Sequence, residues 1–95
     1  MKEILTIDQG TTSSRSIIFN DSLKIVHESQ QEYDLFFPKD GWVEANPNDI
    51  LDSVKKTLNT VLGATNSISN IACCGITNQR ESTIIWEKSS GKAIY

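Results

Sequence analysis

The sequence predicts an α/β fold in which one amphipathic helix covers one face of a β-sheet. Three short segments rich in β-branched and apolar residues follow one another through tight turns near the N-terminus. A central segment repeats apolar residues at three- and four-residue steps, as a helix does. An almost wholly apolar segment follows, in the form typical of a strand buried on both faces. We therefore expect an antiparallel three-strand meander, a helix and then further strands.

The first three strands are predicted within residues 3–33. Residues 3–8 and 15–20 form the first two, and the six residues between them include Gly10, so a hairpin is the simplest connection. An Asn-Asp-Ser turn signal at residues 20–22 then leads to the third strand, residues 24–33.

Residues 34–47 are predicted to form a loop, because two prolines and a glycine punctuate them. Three aromatic side chains, Phe36, Phe37 and Trp42, indicate that this loop packs against the rest of the protein. We expect Trp42 to anchor the loop, with stacking on a ligand as the alternative.

Residues 46–63 carry the helix. Asn46 suits the N-cap, Pro47 the first helical position, and Asp49 the positive end of the helix dipole. Gly63 is predicted to end the helix. The residues expected on its apolar face are Ile50, Leu51, Val54, Leu58, Val61 and Leu62.

The last third of the chain is predicted to return to β structure. Residues 70–76 form the buried strand, residues 77–81 a polar loop, and residues 82–87 another strand followed by a turn. The sequence then stops on the apolar pair Ile94 and Tyr95 after supplying only one covering helix. We therefore expect a fragment of a larger protein.

The composition fits one small globular domain. The chain has 95 residues, of which 38% are hydrophobic and 22% charged, with a net charge of −3. Without a basic run we expect no nucleic-acid partner. No apolar stretch approaches the roughly 20 residues that span a bilayer. The adjacent Cys73 and Cys74 favour reduced thiols within a strand, and hence a cytoplasmic protein.

The stretch "DQGTTSSR", residues 8–15, could bind phosphate. A tight hairpin can direct several backbone N–H groups at an anion, and its hydroxyls add further donors. Arg15 presents a planar cation suited to phosphate oxygens, while Asp8 could hold Mg²⁺. The composition leaves a plain hairpin turn open as the alternative.

The stretch "TNQRE", residues 77–81, could bind a polyol. It follows a predicted central strand, where open sheets place their ligands. Arg80 donates hydrogen bonds and Glu81 accepts them, so the pair could hold the hydroxyls of a polyol. A surface ion pair between neighbours is the alternative.

Three motifs in this order, "DQGTTSSR", "GWVEANP" and "GITNQREST", resemble the N-terminal segment of the glycerol kinases. These belong to the FGGY carbohydrate kinases within the actin-like ATPase group. The resemblance covers residues 4–95 and implies a ribonuclease-H-like mixed sheet. Residues 1–95 would then be the N-terminal part of the family's first domain, without the rest of that domain or the second one. Ala45, Asn46 and Ser82 depart from residues common in the family.

The resemblance implies roles for the residues of both polar loops. It assigns Asp8 to Mg²⁺ and Arg15 to ADP. The residues assigned to the ATP phosphates are Thr11, Thr12 and Ser13. Thr11 also matches a contact to the phosphorylated product, and Arg80 and Glu81 match residues that bind glycerol. The family's general base, an aspartate, would lie beyond Tyr95, so we expect no catalytic residue in this chain.

The activity implied is ATP-dependent phosphorylation of glycerol to glycerol 3-phosphate by a cytoplasmic, homo-oligomeric full-length enzyme, with the isolated chain inactive. Another FGGY polyol or sugar kinase is the alternative within this class. A noncatalytic ligand-binding domain of the same fold is the alternative outside it. A metal nuclease would need carboxylates clustered near Asp8, for which only Glu81 and Glu87 are available.

Overall fold

The computed structural model describes residues 2–65, 68–79 and 82–94. They form β1 (Glu3–Gln9), β2 (Ser13–Phe19), β3 (Ile25–Glu32), α1 (Pro47–Ala64) and β6 (Ile71–Asn78). The four strands make a mixed sheet in the order β3-β2-β1-β6, with the helix packed across it. The first three strands pair antiparallel and β6 pairs parallel to β1, which confirms the predicted meander, helix and later strand.

The connection between β3 and α1 is not wholly irregular. It contains a small antiparallel ribbon of β4 (Leu35–Phe36) and β5 (Glu44–Ala45) where only a loop is predicted. The aromatic side chains of this connection are largely exposed, at 50% for Phe36, 69% for Phe37 and 46% for Trp42. The prediction that they pack inward is therefore wrong for the described residues. Trp42 instead lies beneath the Lys39 ammonium, whose nitrogen is 4.8 Å from the ring centre.

Helix α1 begins as predicted and ends differently. The Asn46 side chain accepts a hydrogen bond from the Asn48 backbone N–H at 2.9 Å, which confirms it as the N-cap. Gly63 does not end the helix. The helix continues to Ala64, and the extended residue Thr65 closes it by donating its N–H to the Val61 carbonyl. An extended C-cap needs no glycine, which explains why the prediction placed the end too early.

The core lies between α1 and the central strands. Its buried residues are Leu5, Ile18 and Val61, and it is extended by the half-buried Leu58, Leu62 and Ile71. The helix is rotated relative to the predicted apolar face. Ser53 and Thr57 are buried against the sheet, whereas Leu51 is 51% exposed. Hydroxyl partners on the strand make this possible, because a buried polar group is tolerated when it is hydrogen-bonded.

Strand β6 lies at the edge of the sheet, so the prediction of burial on both faces is wrong for the described residues. Its side chains from Ala72 onwards are exposed, and Ile76 is 73% exposed. The strand pairs with β1 alone, and α1 packs mainly over β2 and β3. Cys73 and Cys74 lie within this strand as free thiols, where the sequence predicted them.

Residues 82–87 do not form the predicted strand. Their regular pairing is limited to one bridge between Trp86 and Ala93 across a turn at residues 88–90. One further backbone hydrogen bond, from the Gly91 N–H to the Glu87 carbonyl at 2.8 Å, closes this turn. Within the described ranges, no helix is both long and apolar enough to cross a bilayer.

Candidate functional site

The tip of the β1–β2 hairpin is the first part of the site. The two strands stay in register up to the pair Gln9–Ser14. The Gly10 N–H then donates to the Ser13 carbonyl at 2.8 Å and closes a turn that has Thr11 and Thr12 at its apex. Both threonines are exposed. The predicted hairpin therefore presents these two residues to solvent.

Gln9 and Tyr33 donate hydrogen bonds to the carbonyl groups of this turn. The Gln9 amide donates to the Gly10 carbonyl at 2.7 Å and to the Tyr33 hydroxyl at 3.0 Å. The buried Tyr33 donates its hydroxyl to the Gly10 carbonyl and its backbone N–H to the Thr12 carbonyl. Burial raises the pKa of the Tyr33 phenol, while the hydrogen bond with Gln9 opposes that rise. The phenol therefore keeps its proton as a donor to the turn.

This arrangement leaves donors available at the apex. The backbone N–H groups and hydroxyls of Thr11 and Thr12 have no hydrogen-bond partner within residues 2–65, 68–79 and 82–94. Exposed N–H groups that converge at a turn can bind an anion without net positive charge nearby. The turn is thus chemically suited to phosphate oxygens.

Ser13 and Arg15 extend the site along β2, on the face opposite α1. Gln30 of β3 donates to the Ser13 hydroxyl at 2.9 Å and accepts from the Arg15 guanidinium at 3.4 Å. The Arg15 guanidinium also lies 3.7 Å from the Glu28 carboxylate, and both side chains are 43% exposed. Such an exposed ion pair is weak. Arg15 can therefore turn from Glu28 to an anionic ligand at small cost.

Asp8 lies at the end of β1, opposite Arg15 in β2 and beside Thr77 in β6. Its carboxylate is exposed and makes no hydrogen bond or ion pair with another described residue. No cluster of three metal-ligating side chains occurs in the described part of the chain. A single free carboxylate still fits Mg²⁺, which proteins often hold by one or two carboxylates together with substrate phosphates and water.

An open cleft of about 600 Å³ joins this hairpin to two other parts of the chain. Asp8 to Thr11 line one side, the connection that carries "GWVE" lines another, and the end of β6 together with Gln79 and Ser82 lines a third. The lining residues are Asp8, Gln9, Gly10, Thr11, Leu35, Val43, Glu44, Ala45, Asn78, Gln79 and Ser82. The sequence motifs therefore meet around a single space.

The two residues predicted to bind a polyol, Arg80 and Glu81, lie outside the described residues. Their neighbours Gln79 and Ser82 both line the cleft. The roles of Arg80 and Glu81 thus stay predictions.

The sequence alone did not indicate several residues that line the cleft or hold the hairpin turn in place. Gln9 lies inside the stretch predicted to bind phosphate, yet its amide holds the turn. Glu44 and Val43 line the cleft although "GWVE" suggested only a family resemblance. Tyr33 gave one signal that could have been used, since a tyrosine that is buried usually directs its hydroxyl to a hydrogen-bond partner, and here that partner is the Gly10 carbonyl.

Comparison with known proteins finds the family that the three sequence motifs resemble. The model of the FGGY family of carbohydrate kinases, N-terminal domain, matches residues 3–95. Glycerol kinase of Bacillus velezensis is 53% identical over 93 residues, which is 97% of this chain and 19% of that protein. Glycerol kinase of Alteromonas mediterranea is 53% identical over 95 residues, covering 99% of this chain and 19% of that protein.

Solved structures show the fold. A Plasmodium falciparum glycerol kinase with ADP superposes with a TM-score of 0.89 at 36% identity, over 100% of this chain and 19% of that one. A ligand-bound xylulose kinase from Lactobacillus acidophilus gives a TM-score of 0.89 at 23% identity, over the same shares, and supports the fold alone. The predicted ribonuclease-H-like, actin-like ATPase fold is confirmed. The chain spans about a fifth of the length of these relatives.

Proposed function

The chain belongs to the FGGY family of carbohydrate kinases, and from this premise we propose that it is the N-terminal segment of an ATP-dependent glycerol kinase. One observation carries the proposal. Thr11 at the tip of the hairpin and the residues on both sides of Arg80–Glu81 border the same cleft. A kinase needs this juxtaposition, because the donor phosphate and the acceptor hydroxyl must meet. The similarity to glycerol kinases supports glycerol as the acceptor.

The hairpin supplies the phosphate side of the reaction. The free N–H and hydroxyl groups of Thr11 and Thr12 bind phosphate oxygens, and Ser13 and Arg15 extend the contact along β2. Asp8 holds Mg²⁺ directly or through water. Mg²⁺ when bound neutralises charge on the phosphates during transfer. The prealigned donors need little reorganisation, since Gln9 and Tyr33 already hold the turn.

The segment after β6 supplies the acceptor side. Arg80 donates to glycerol hydroxyls and Glu81 accepts from them, with each charge-assisted hydrogen bond contributing roughly 1.5–3 kcal/mol. Thr11 lies on the border of the cleft and would contact the phosphorylated product. The terminal hydroxyl of glycerol attacks the γ-phosphorus, its proton passes to a base, and ADP leaves. The base is expected to be an aspartate beyond this chain. The residues of this chain would therefore bind and position the ATP phosphates and glycerol.

A matched pair of threonine variants in the intact kinase tests the phosphate side. Thr12→Ala removes an apex hydroxyl, whereas Thr60→Ala removes an exposed hydroxyl on α1 that, among the described residues, bonds only to the Lys56 carbonyl. Calorimetric titration with MgADP should show a dissociation constant raised roughly tenfold or more by Thr12→Ala, since a hydrogen bond to a charged group is lost. Thr60→Ala should leave it unchanged. Equal constants for both variants and the parent would refute phosphate binding by this turn.

A further inference from the structure

Two pairs of hydroxyl groups join β2 to α1 at the centre of the protein. The Ser14 and Ser53 oxygens are 2.7 Å apart, and the Ser16 and Thr57 oxygens are 2.8 Å apart. All four residues are buried, none more than 2% exposed. This contact is unusual for a helix packed on a sheet, because apolar side chains normally fill such positions.

The spacing of the pairs fixes how the helix sits on the strand. Ser14 and Ser16 are two residues apart in β2, a separation of about 6.7 Å in a strand. Ser53 and Thr57 are one turn apart in α1, which is about 6 Å along a helix. Both pairs therefore form together in one register. A shift by one helical residue, about 1.5 Å, would break both pairs and leave buried hydroxyls without partners.

The helix hydroxyls are themselves held in place. Ser53 Oγ lies 2.6 Å from the Ile50 carbonyl oxygen, and Thr57 Oγ1 lies 3.0 Å from that of Val54. These bonds restrict the side-chain rotamers. The helix consequently presents two fixed polar groups to the strand.

The pair at Ser14 lies next to the phosphate-binding residues. Ser14 separates Ser13 from Arg15, which project to the opposite face of the sheet. At the end of β2 nearest the turn, Ser14 is also the outermost residue that pairs on both sides, with Gln9 and Gln31. Ser16 lies farther from the turn. The residues before and after it in β2 pair with both neighbouring strands and hold its backbone in place. A displacement at Ser14 therefore passes to the turn, whereas one at Ser16 is resisted by the sheet.

We propose that Ser53, acting through Ser14, is a positioning residue for phosphate binding, and that the Ser16–Thr57 pair serves stability alone. The inference rests on the proposed kinase function. Through the Ser14–Ser53 contact, α1 sets where the turn places Thr11, Thr12 and Arg15. Neither Ser14 nor Ser53 touches the ligand.

The test compares Ser53→Ala with Thr57→Val in the intact kinase. Each variant leaves one buried serine hydroxyl without its partner, so both should lower the unfolding temperature. Ser53→Ala should raise the KM for MgATP at least fivefold and change the KM for glycerol less than twofold. Thr57→Val should leave both constants within twofold of the parent. Ser53→Thr keeps the hydroxyl and should restore the KM for MgATP.

A double variant separates positioning from the penalty of an unpaired hydroxyl. Ser14→Ala with Ser53→Ala removes both polar groups, so stability should largely return while the KM for MgATP stays raised. Equal effects of Ser53→Ala and Thr57→Val on KM, or recovery of KM in the double variant, would overturn the inference. If the parent fails to phosphorylate glycerol, the proposed function fails. The MgADP dissociation constants of the same variants then decide the positioning role.

Discussion

Replacing Gly10 with alanine puts a methyl group inside the turn at the tip of the β1–β2 hairpin. The added carbon would lie 3.1 Å from the Ser13 carbonyl oxygen. Ordinary contacts of this kind begin at 3.4 Å, so the turn must open by about 3.4 − 3.1 = 0.3 Å. The oxygen cannot easily yield, because it accepts the Gly10 N–H at 2.8 Å in the bond that closes the turn.

The size of the effect follows from this overlap. Adding a methylene-sized group to a close-packed site typically costs about 1–3 kcal/mol. If the turn must recover its original shape to bind phosphate, that cost appears as weaker binding. At 1.4 kcal/mol per factor of ten, the dissociation constant for MgADP should rise roughly five- to 140-fold.

Calorimetric titration of the intact kinase with MgADP measures this directly. Gly63→Ala is the matched control, since its added carbon meets nothing within 4 Å and it lies in α1. That variant should stabilise the protein by roughly 0.5–1 kcal/mol and leave the dissociation constant unchanged. If Gly10→Ala binds MgADP as tightly as the parent, phosphate binding does not depend on the closed turn between Gly10 and Ser13.

Three further predictions concern the acceptor side of the cleft, the isolated chain and the buried Tyr33. Arg80→Ala in the intact kinase should raise the KM for glycerol far more than that for ATP in steady-state assays, and equal effects on both would contradict an acceptor-binding role. The isolated 95-residue chain should release no ADP from MgATP and glycerol in a coupled assay, because no general base is assigned to it; glycerol-dependent release would show otherwise. Burial raises the pKa of Tyr33, so its contribution to stability is complete below the unfolded-state value of about 10 and is lost as pH rises through the higher folded value. The unfolding temperature should accordingly fall more steeply above pH 10 in the parent than in Tyr33→Phe, and parallel curves would argue against this contribution.

The sequence was sufficient to predict the elements whose pattern is local. The meander, the capped start of α1 and the strand after it all follow from apolar periodicity, turn residues and Asn46. The side of the helix that faces the sheet was harder. Leu51 is exposed and Ser53 buried because Ser14 offers a hydroxyl partner, and that partner is known only once the two elements are placed together.

In the candidate site, too, the local features could be predicted from the sequence and the long-range contacts could not. The turn at Thr11 and Thr12 was recognisable from its composition. Its support by Tyr33 was not, since the contact joins residues 23 positions apart and depends on the register of β2 with β3. The exposure of β6 was also missed, because an apolar sequence shows that a strand can be buried and not which element covers it.

A comparison of acceptors for the intact kinase with MgATP tests most directly whether glycerol is its substrate. Initial rates of ADP formation would be measured with glycerol, erythritol and ketopentoses over a range of concentrations. We expect glycerol 3-phosphate as product and the highest kcat/KM for glycerol. A higher kcat/KM for a ketopentose or erythritol would contradict glycerol as the acceptor that this cleft is built to bind.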